Sequence, residues 1–511
     1  MNRTIGVILS YLLMLGEILS AFLFTPYLLR TLGQAEYGVY QLVLSFSAYL
    51  LLLDLGIGNS VVRYIAKYRS GNLREEQRIF LGISSSYYLS IAFLILVCGL
   101  IFNGYFTTIF AHGLSPEEIG KAQTLFAITI ITIAVTLGSS AFYNTIIGYE
   151  KFVISKGIPC LLILVRIAVS ILVLAQGFGS VGLVSVNLVL TVVTRGFMVL
   201  YVIFKLKIIP RLRGAKYSLI FEIISYSSLI FLQMIATQMN SMADRILIGI
   251  FSASAAATIA VYSVGILIAQ YVQSIGSSFT DVLMPSIVVL VERGAGSKLL
   301  QAEMIRIGRL ILAVLAWIWV VFIFNGREFI QIWAGSNYRQ SYIVAIFLIT
   351  PYALILPMSV GTQILWAKKR HRKQTYYKLF FSVICLIFSG FLISWYGLYG
   401  AAVGTFLALF ISDIVTMGIV FKQDIGISLK EYFHGLFHGI AGSLISSIFI
   451  GGVVYFLPLP SFIKFFFSCT LMSLTYFSAM YFRGMTQYEK QLAFNILHHI
   501  KQRLYTRKSS I

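Results

Sequence analysis

The sequence predicts an all-α polytopic membrane protein of about 14 transmembrane helices, arranged as two pseudo-symmetric six-helix lobes plus two C-terminal helices. Three observations predict it. Charged residues make up 11% of the 511, where a soluble protein carries roughly 25%. The hydrophobic fraction is 59%, with 40 Phe, and the mean hydropathy is +0.88; a water-facing fold cannot cover that much apolar surface with so few charges. Apolar stretches of about 20 residues, the length that crosses a hydrocarbon core, follow one another with little polar chain between them.

In order, these stretches lie near 5–29, 38–62, 79–103, 124–147, 157–176, 181–204, 222–247, 258–283, 306–326, 341–366, 379–396, 401–421, 436–457 and 464–482. The first is too long for the apolar region of a cleavable signal peptide and reads as a span. Two helix starts are legible locally. Ser115-Pro116-Glu117-Glu118 offers a capping Ser, a Pro at the first helical position and a Glu at the third, and Thr486-Gln487-Tyr488-Glu489 resembles a second capping box. After it, Leu492, Ile496, Leu497, Ile500 and Leu504 share one face, which suits a helix lying on the inner leaflet. The loops leave no room for a soluble catalytic domain.

Orientation follows from charge. Lys and Arg number 39 against 18 Asp and Glu. With the N-terminus inside, 31 of the basic residues fall on the cytoplasmic side and 6 on the other, while Arg166 and Arg195 lie within spans. That alternation is the positive-inside pattern, and it places both termini in the cytoplasm. It also accounts for the net charge of +21 without nucleic acid as a partner. The four cysteines, Cys98, Cys160, Cys385 and Cys469, sit in or beside apolar stretches, form no CxxC pair and read as structural thiols.

The two halves resemble each other weakly. Ser10-Tyr11 and Arg30 recur as Ser225-Tyr226 and Arg245, Val39-Tyr40 as Val261-Tyr262, and Gly179-Ser180-Val181-Gly182 as Gly397-Leu398-Tyr399-Gly400, at offsets of 215 to 222 residues. A six-span unit repeated in the same orientation implies two lobes about an axis along the membrane normal, an arrangement that transporters use. The expected division is 1–214 for spans 1–6, 215–430 for spans 7–12, 431–482 for two extra spans and 483–511 for the interfacial tail.

Ionisable groups inside a span are costly and usually face a wet cavity or a partner. Arg166 and Arg195 are the deepest cations, and Glu17 and Asp54 the deepest acids. Asp244-Arg245 is expected to be an interfacial pair first and a gate second. Asp281 and Asp413 read as interfacial. Pro26, Pro351 and Pro357 interrupt spans 1 and 10 and are hinge candidates, since proline removes a backbone hydrogen bond. Glu431, His434 and His438 share a helical face, but their interfacial position argues against a metal site. No cofactor is expected, and neither a phosphate-binding P-loop nor HExxH, GxSxG or DxD occurs. Any transport must draw on a gradient.

The segment Thr25-Pro26-Tyr27-Leu28-Leu29-Arg30-Thr31-Leu32-Gly33-Gln34-Ala35-Glu36-Tyr37-Gly38-Val39-Tyr40 resembles the opening of the polysaccharide biosynthesis exporters. These are the Wzx-type flippases of the multidrug/oligosaccharidyl-lipid/polysaccharide superfamily. Asp54-Leu55-Gly56-Ile57-Gly58 with Arg63-Tyr64-Ile65-Ala66 is similar to their second span. Asp244-Arg245 with Val261-Tyr262 looks like the matching element of the second half. The resemblance implies a flippase, not an enzyme, that moves a polyprenyl-diphosphate-linked oligosaccharide from the inner to the outer leaflet of a bacterial cytoplasmic (inner) membrane by alternating access. Coupling to H+ or Na+ is expected. Membrane lipids and a polysaccharide polymerase or export machinery would be its partners. Arg166 and Arg195, then Arg30, Arg63 and Arg245, would contact the diphosphate, because arginine binds phosphate bidentately. Glu17, Asp54 and Asp244 would gate or couple. The alternatives are a cation-coupled multidrug exporter of the same superfamily and a lipid II flippase.

Overall fold

The computed structural model describes residues 2–214, 218–458, 460–491 and 494–495, and all regular structure among them is helical. The chain gathers into two compact units, Met1–Val264 with Lys378–Ala408, and Gly265–Tyr377 with Leu409–Ile511. The first unit holds α1 (Asn2–Leu50), α2 (Ile57–Ser70), α3 (Arg74–Phe110), α4 (Pro116–Gly138), α5 (Ser140–Gly148), α6 (Ile158–Ala175), α7 (Gly179–Leu200) and α8 (Ser218–Phe251). Helix α9 (Ala255–Glu292) is divided between the units. Next come α10 (Ser297–Trp333) and α11 (Ser341–Ala367) of the second unit, and then α12 (Arg372–Leu409), also divided. The second unit ends with α13 (Thr416–Val420), α14 (Leu429–Phe437), α15 (Ile440–Tyr455) and α16 (Ser461–Ala479).

Among the described residues, ten helical stretches are long and apolar enough to cross a membrane, or eleven if the bent pair α14–α15 is one span. The fold is therefore all-α and polytopic, with ten or eleven such stretches where fourteen spans are expected. Two of the ten, Leu12–Ser70 and Arg372–Ile425, are 59 and 54 residues long. At 1.5 Å per residue each would reach about 80–90 Å, near three times the roughly 30 Å core. Each contains a glycine with non-helical backbone, Gly33 at φ 73° and Gly397 at φ 53°, a conformation that side chains resist. Gly33 falls in the loop expected after the first span.

In the first unit, the segment that carried the family resemblance packs by its own chemistry. Glu36 accepts a 2.6 Å hydrogen bond from the backbone N–H of Ser180, satisfying a donor at the start of α7, and lies 3.5 Å from Lys121 on α4. Tyr37 is buried. Gly38 lies so close to Ala256 that a Cβ would stand 1.8 Å from its carbonyl oxygen. The capping box at Ser115 forms as expected, with both reciprocal bonds present.

The three hinge candidates lie inside helices. Helix α11 continues through Pro351 and Pro357 without interruption. Two hydroxyls near them bond main-chain carbonyls of the same helix: Thr350 donates to Ile346 O at 2.8 Å and Ser359 to Leu356 O at 2.5 Å. Pro26 lies within α1, seven residues before the break at Gly33.

The second unit is stitched along α10. The Tyr476 hydroxyl donates to Ala313 O at 2.8 Å, and the Trp317 indole N–H to Ser473 Oγ at 2.9 Å. At one end lies Arg309, only 4% exposed. Its Nε donates to Glu489 Oε1 at 2.8 Å. Nη2 donates to Gly484 O at 2.8 Å and Glu489 Oε2 at 3.3 Å. Nη1 donates to Gly435 O at 3.1 Å and to His438 O. One guanidinium thus gathers α10, the bend between α14 and α15, the end of the last span and the Thr486–Glu489 capping box, which also forms. The tail residues Leu492, Ile496, Leu497, Ile500 and Leu504 lie outside the described residues, as do the side chains of Tyr226 and Asp281.

Candidate functional site

The densest polar constellation of the first unit is centred on Asp244. Helix α8 carries Asp244 inward, leaving it 7% exposed, and Arg245 beside it 5% exposed. Successive residues of a helix point in different directions, and these two turn to different hydrogen-bond partners. Asp244 Oδ1 accepts from Ser389 Oγ at 2.7 Å, and Oδ2 accepts from the Tyr262 hydroxyl at 2.6 Å and from Thr405 Oγ1. Arg245 Nε donates to Ser263 Oγ at 2.9 Å. Three hydroxyls from α9 and the two arms of α12 therefore converge on one carboxylate.

A cavity of about 10 Å³ adjoins the carboxylate, lined by Asn240, Asp244, Ser382, Cys385, Ser389 and Thr405 among others. The Ser382 Oγ is buried there without a hydrogen-bond partner. A space of roughly 10–15 Å³ holds one water, so the cavity suits a single small species with oxygen ligands around it. Burying a carboxylate costs several kcal/mol, and hydrogen bonds to a charged group return about 1.5–3 kcal/mol each. The three hydroxyls are thus of the order needed to hold it. Hydroxyls can donate or accept by rotating, so the cluster can adapt to a proton or a cation on the acid.

The other expected residues are dispersed. Asp54 ends a short 3₁₀ turn, Leu51–Asp54, between α1 and α2, and accepts from the Tyr88 hydroxyl at 2.6 Å. Leu55 and Gly56 follow with φ 52° and 73°, so the expected second span is broken beside an acid. Arg195 on α7 is half-buried; its guanidinium lies 4.7 Å from the Tyr143 ring centroid, and its Nη1 is buried without a hydrogen-bond partner. Arg166 on α6, Arg63 on α2, and Glu17 and Arg30 on α1 are exposed on the protein surface. Asp413 lies in the turn Phe410–Val415 and accepts from Ser412 at 2.9 Å. Glu431 accepts from Gln301 at 2.9 Å, and the His434 and His438 rings stand 5.9 Å apart.

Sequence reasoning singled out Asp244 but missed its ring. Tyr262 entered as a repeat marker and, beside Asp244-Arg245, in the family resemblance, with no role at the acid, and Ser382, Ser389 and Thr405 not at all. Ser382 and Ser389 are seven residues apart, two turns along one helical face, and that spacing of hydroxyls in an apolar span was a usable signal.

Among curated proteins the sequence has no match. Among solved structures, the fold is similar to that of the lipid II flippase MurJ in its inward closed conformation, at TM-score 0.70 and 15% identity, covering 94% of this chain and 99% of that one. It is similar to an inward-facing multidrug resistance MATE family transporter of the MOP superfamily, at TM-score 0.63 and 14% identity, covering 81% and 94%. A MOP superfamily transporter from Pyrococcus furiosus aligns at TM-score 0.53 and 16% identity, covering 83% and 96%. At such identities the likeness is one of fold. The sequence itself matches the model of the polysaccharide biosynthesis protein family over residues 6–291, more than half its length, and the chain belongs to that family.

Proposed function

We propose that the protein is an alternating-access flippase, and not an enzyme, that carries a polyprenyl-diphosphate-linked glycan from the inner to the outer leaflet of a bacterial cytoplasmic membrane. The observation that carries this reading is the extent of the fold likeness. The lipid II flippase structure accounts for 94% of the chain, while the multidrug transporter structure leaves about a fifth unmatched. That difference weighs against the multidrug alternative. Between the two lipid-linked glycans, the fold likeness favours a lipid II type of substrate and the family membership a polysaccharide repeat. Both carry a polyprenyl diphosphate, and that shared group is what the site must accept.

The finer architecture belongs to the same proposal. Fourteen crossings divide into lobes at 1–214 and 215–430, an added pair at 431–482 and a tail at 483–511, with both termini cytoplasmic. The backbone breaks at Gly33 and Gly397 support splitting the two over-long helices into two crossings each. Arg166 and Arg195 contact the diphosphate; the buried unpartnered Nη1 of Arg195 is the strongest support, since a buried donor without an acceptor costs free energy until one arrives. Arg30 and Arg63 are secondary contacts, and Arg245, already engaged by Ser263, is the least available. Asp244 with its hydroxyl ring and cavity takes H+ or Na+ and couples it to transport, while Glu17 and Asp54 act at gates and Pro26, Pro351 and Pro357 at hinges. Export machinery would receive the product.

Reconstitution in vesicles tests this. A fluorescent polyprenyl-diphosphate oligosaccharide and a fluorescent lipid II are each followed to the outer leaflet under imposed H+ or Na+ gradients. Gradient-dependent movement of one or both is expected, and their relative rates choose between the two glycans. Efflux of a cationic drug without movement of either lipid would overturn the proposal.

A further inference from the structure

The turn between α11 and α12 concentrates positive charge. It reads Lys368-Lys369-Arg370-His371, and α12 opens with Arg372-Lys373. Its backbone is fixed: Lys369 adopts φ 57°, its N–H bonds Trp366 O at 3.0 Å, and the Arg370 N–H bonds Leu365 O at 2.9 Å. The His371 ring stacks flat on the Trp366 indole, 4.3 Å apart and 3° from parallel. Lys369, Arg370, Arg372 and Lys373 are all exposed on this rigid turn.

The charge is poorly compensated. Lys368 and Lys369 sit at the C-terminal end of α11, where the helix dipole favours cations. Arg372 and Lys373 sit in the first turn of α12, where it disfavours them, and no acidic residue shares that turn. Among the described residues, Asp424 is the carboxylate that answers: Lys373 Nζ lies 3.1 Å from its Oδ1, and Arg370 Nη1 donates to its carbonyl oxygen at 3.2 Å. Of the five basic side chains, Lys373 thus pairs with that carboxylate and Arg370 bonds its main-chain carbonyl. The crowding is felt inside the turn. Lys368 is held below the usual lysine range, by burial first and then by Arg370. His371 is held below the usual histidine range, by burial first and then by Arg372.

We propose that this turn is a binding site for lipid phosphate at the membrane face where α11 and α12 emerge. An anion there would relieve the repulsion that Arg372 and Lys373 suffer at a helix N-terminus, and Arg370 and Arg372 offer planar forks that bind phosphate oxygens in pairs. Trp366 anchors the turn at the headgroup level, where indole is favoured. Two lipids present the required chemistry, the diphosphate of a polyprenyl carrier and the phosphodiester of an anionic phospholipid. The first would make the turn the place where the proposed substrate first docks; the site itself does not depend on that reading.

Native mass spectrometry of the purified full chain, titrated separately with polyprenyl diphosphate, phosphatidylglycerol and inorganic pyrophosphate, tests this. The variant K369Q/R372Q is compared with the charge-matched control K298Q/K430Q. Both lipids should bind the wild type and the control, and bind K369Q/R372Q about 10-fold more weakly. Loss of polyprenyl diphosphate alone assigns the site to the carrier, and loss of both lipids assigns it to lipid phosphate in general. Lipid binding that is unchanged in K369Q/R372Q, or equally reduced in the control, overturns the proposal. Pyrophosphate shows whether the headgroup suffices without a membrane chain. Since binding is read without translocation, failure of the flippase reading and failure of this one are separable.

Discussion

The first unit buries a carboxylate at Asp244, and the second buries a guanidinium at Arg309. The two are held in opposite ways. Asp244 is met by three hydroxyls, each able to turn its proton elsewhere, and it borders a cavity of about 10 Å³. Arg309 is met by three backbone carbonyls and a carboxylate, and its Nε, Nη1 and Nη2 all donate. Carbonyls on fixed helix ends cannot rearrange, and an arginine cannot give up its proton. On the proposed function, the difference separates a site that exchanges a proton or cation from a clamp, since hydroxyls can re-orient about Asp244 and main-chain carbonyls cannot do so about Arg309.

Substitutions test that contrast. Arg309→Ala should have the largest effect on stability. It strands Glu489 and three carbonyls in a buried place, and breaking a buried ion pair from one side costs about 3–5 kcal/mol. Thermal unfolding in detergent checks this, with Arg309→Lys recovering only part because an ammonium has no fork. A variant that melts like the wild type would remove the clamp. Next comes Tyr262→Phe, which deletes one hydrogen bond to the acid and should cost about 1.5–3 kcal/mol by the same measurement. Asp244→Asn should cost less, about 1 kcal/mol, since an amide oxygen still accepts from the hydroxyls. Its gradient-driven transport should nevertheless fall by about tenfold or more, since an amide neither takes up a proton nor balances a cation. If D244N transports normally, the exchangeable-site reading goes; if it unfolds as R309A does, the contrast goes.

Arg195→Gln should move stability least. Its Nη1 has no hydrogen-bond partner, and the contact with the Tyr143 ring contributes about 0.5–1 kcal/mol. Substrate affinity should fall while the melting temperature stays near that of the wild type. Unchanged affinity for the diphosphate lipid would remove Arg195 from the headgroup site.

The same contrast shows how sequence information is distributed. The capping boxes at Ser115 and Thr486 were legible because capping involves residues three apart, and both form as read. The depth of Asp244 was not, because Asp-Arg at the end of an apolar stretch looks like an interfacial pair whichever way its helix turns. The burial of Arg309 was hidden for a related reason. A basic residue near a helix end satisfies the positive-inside pattern whether it meets water or another part of the chain.

Hydropathy already placed this protein in lipid, with helices as the regular structure of the described residues, and the first-loop segment already pointed to the family. Hydropathy and local capping act over a few residues, and so are written in order along the chain. Which buried groups meet is set by how the helices pack. Asp244 is joined to Ser389 and Thr405, 145 and 161 residues away, and Arg309 to Glu489, 180 away. Contacts at such separations depend on helix rotation and packing, and one residue's shift on a helix turns a side chain by about 100°, so no local pattern could have specified them.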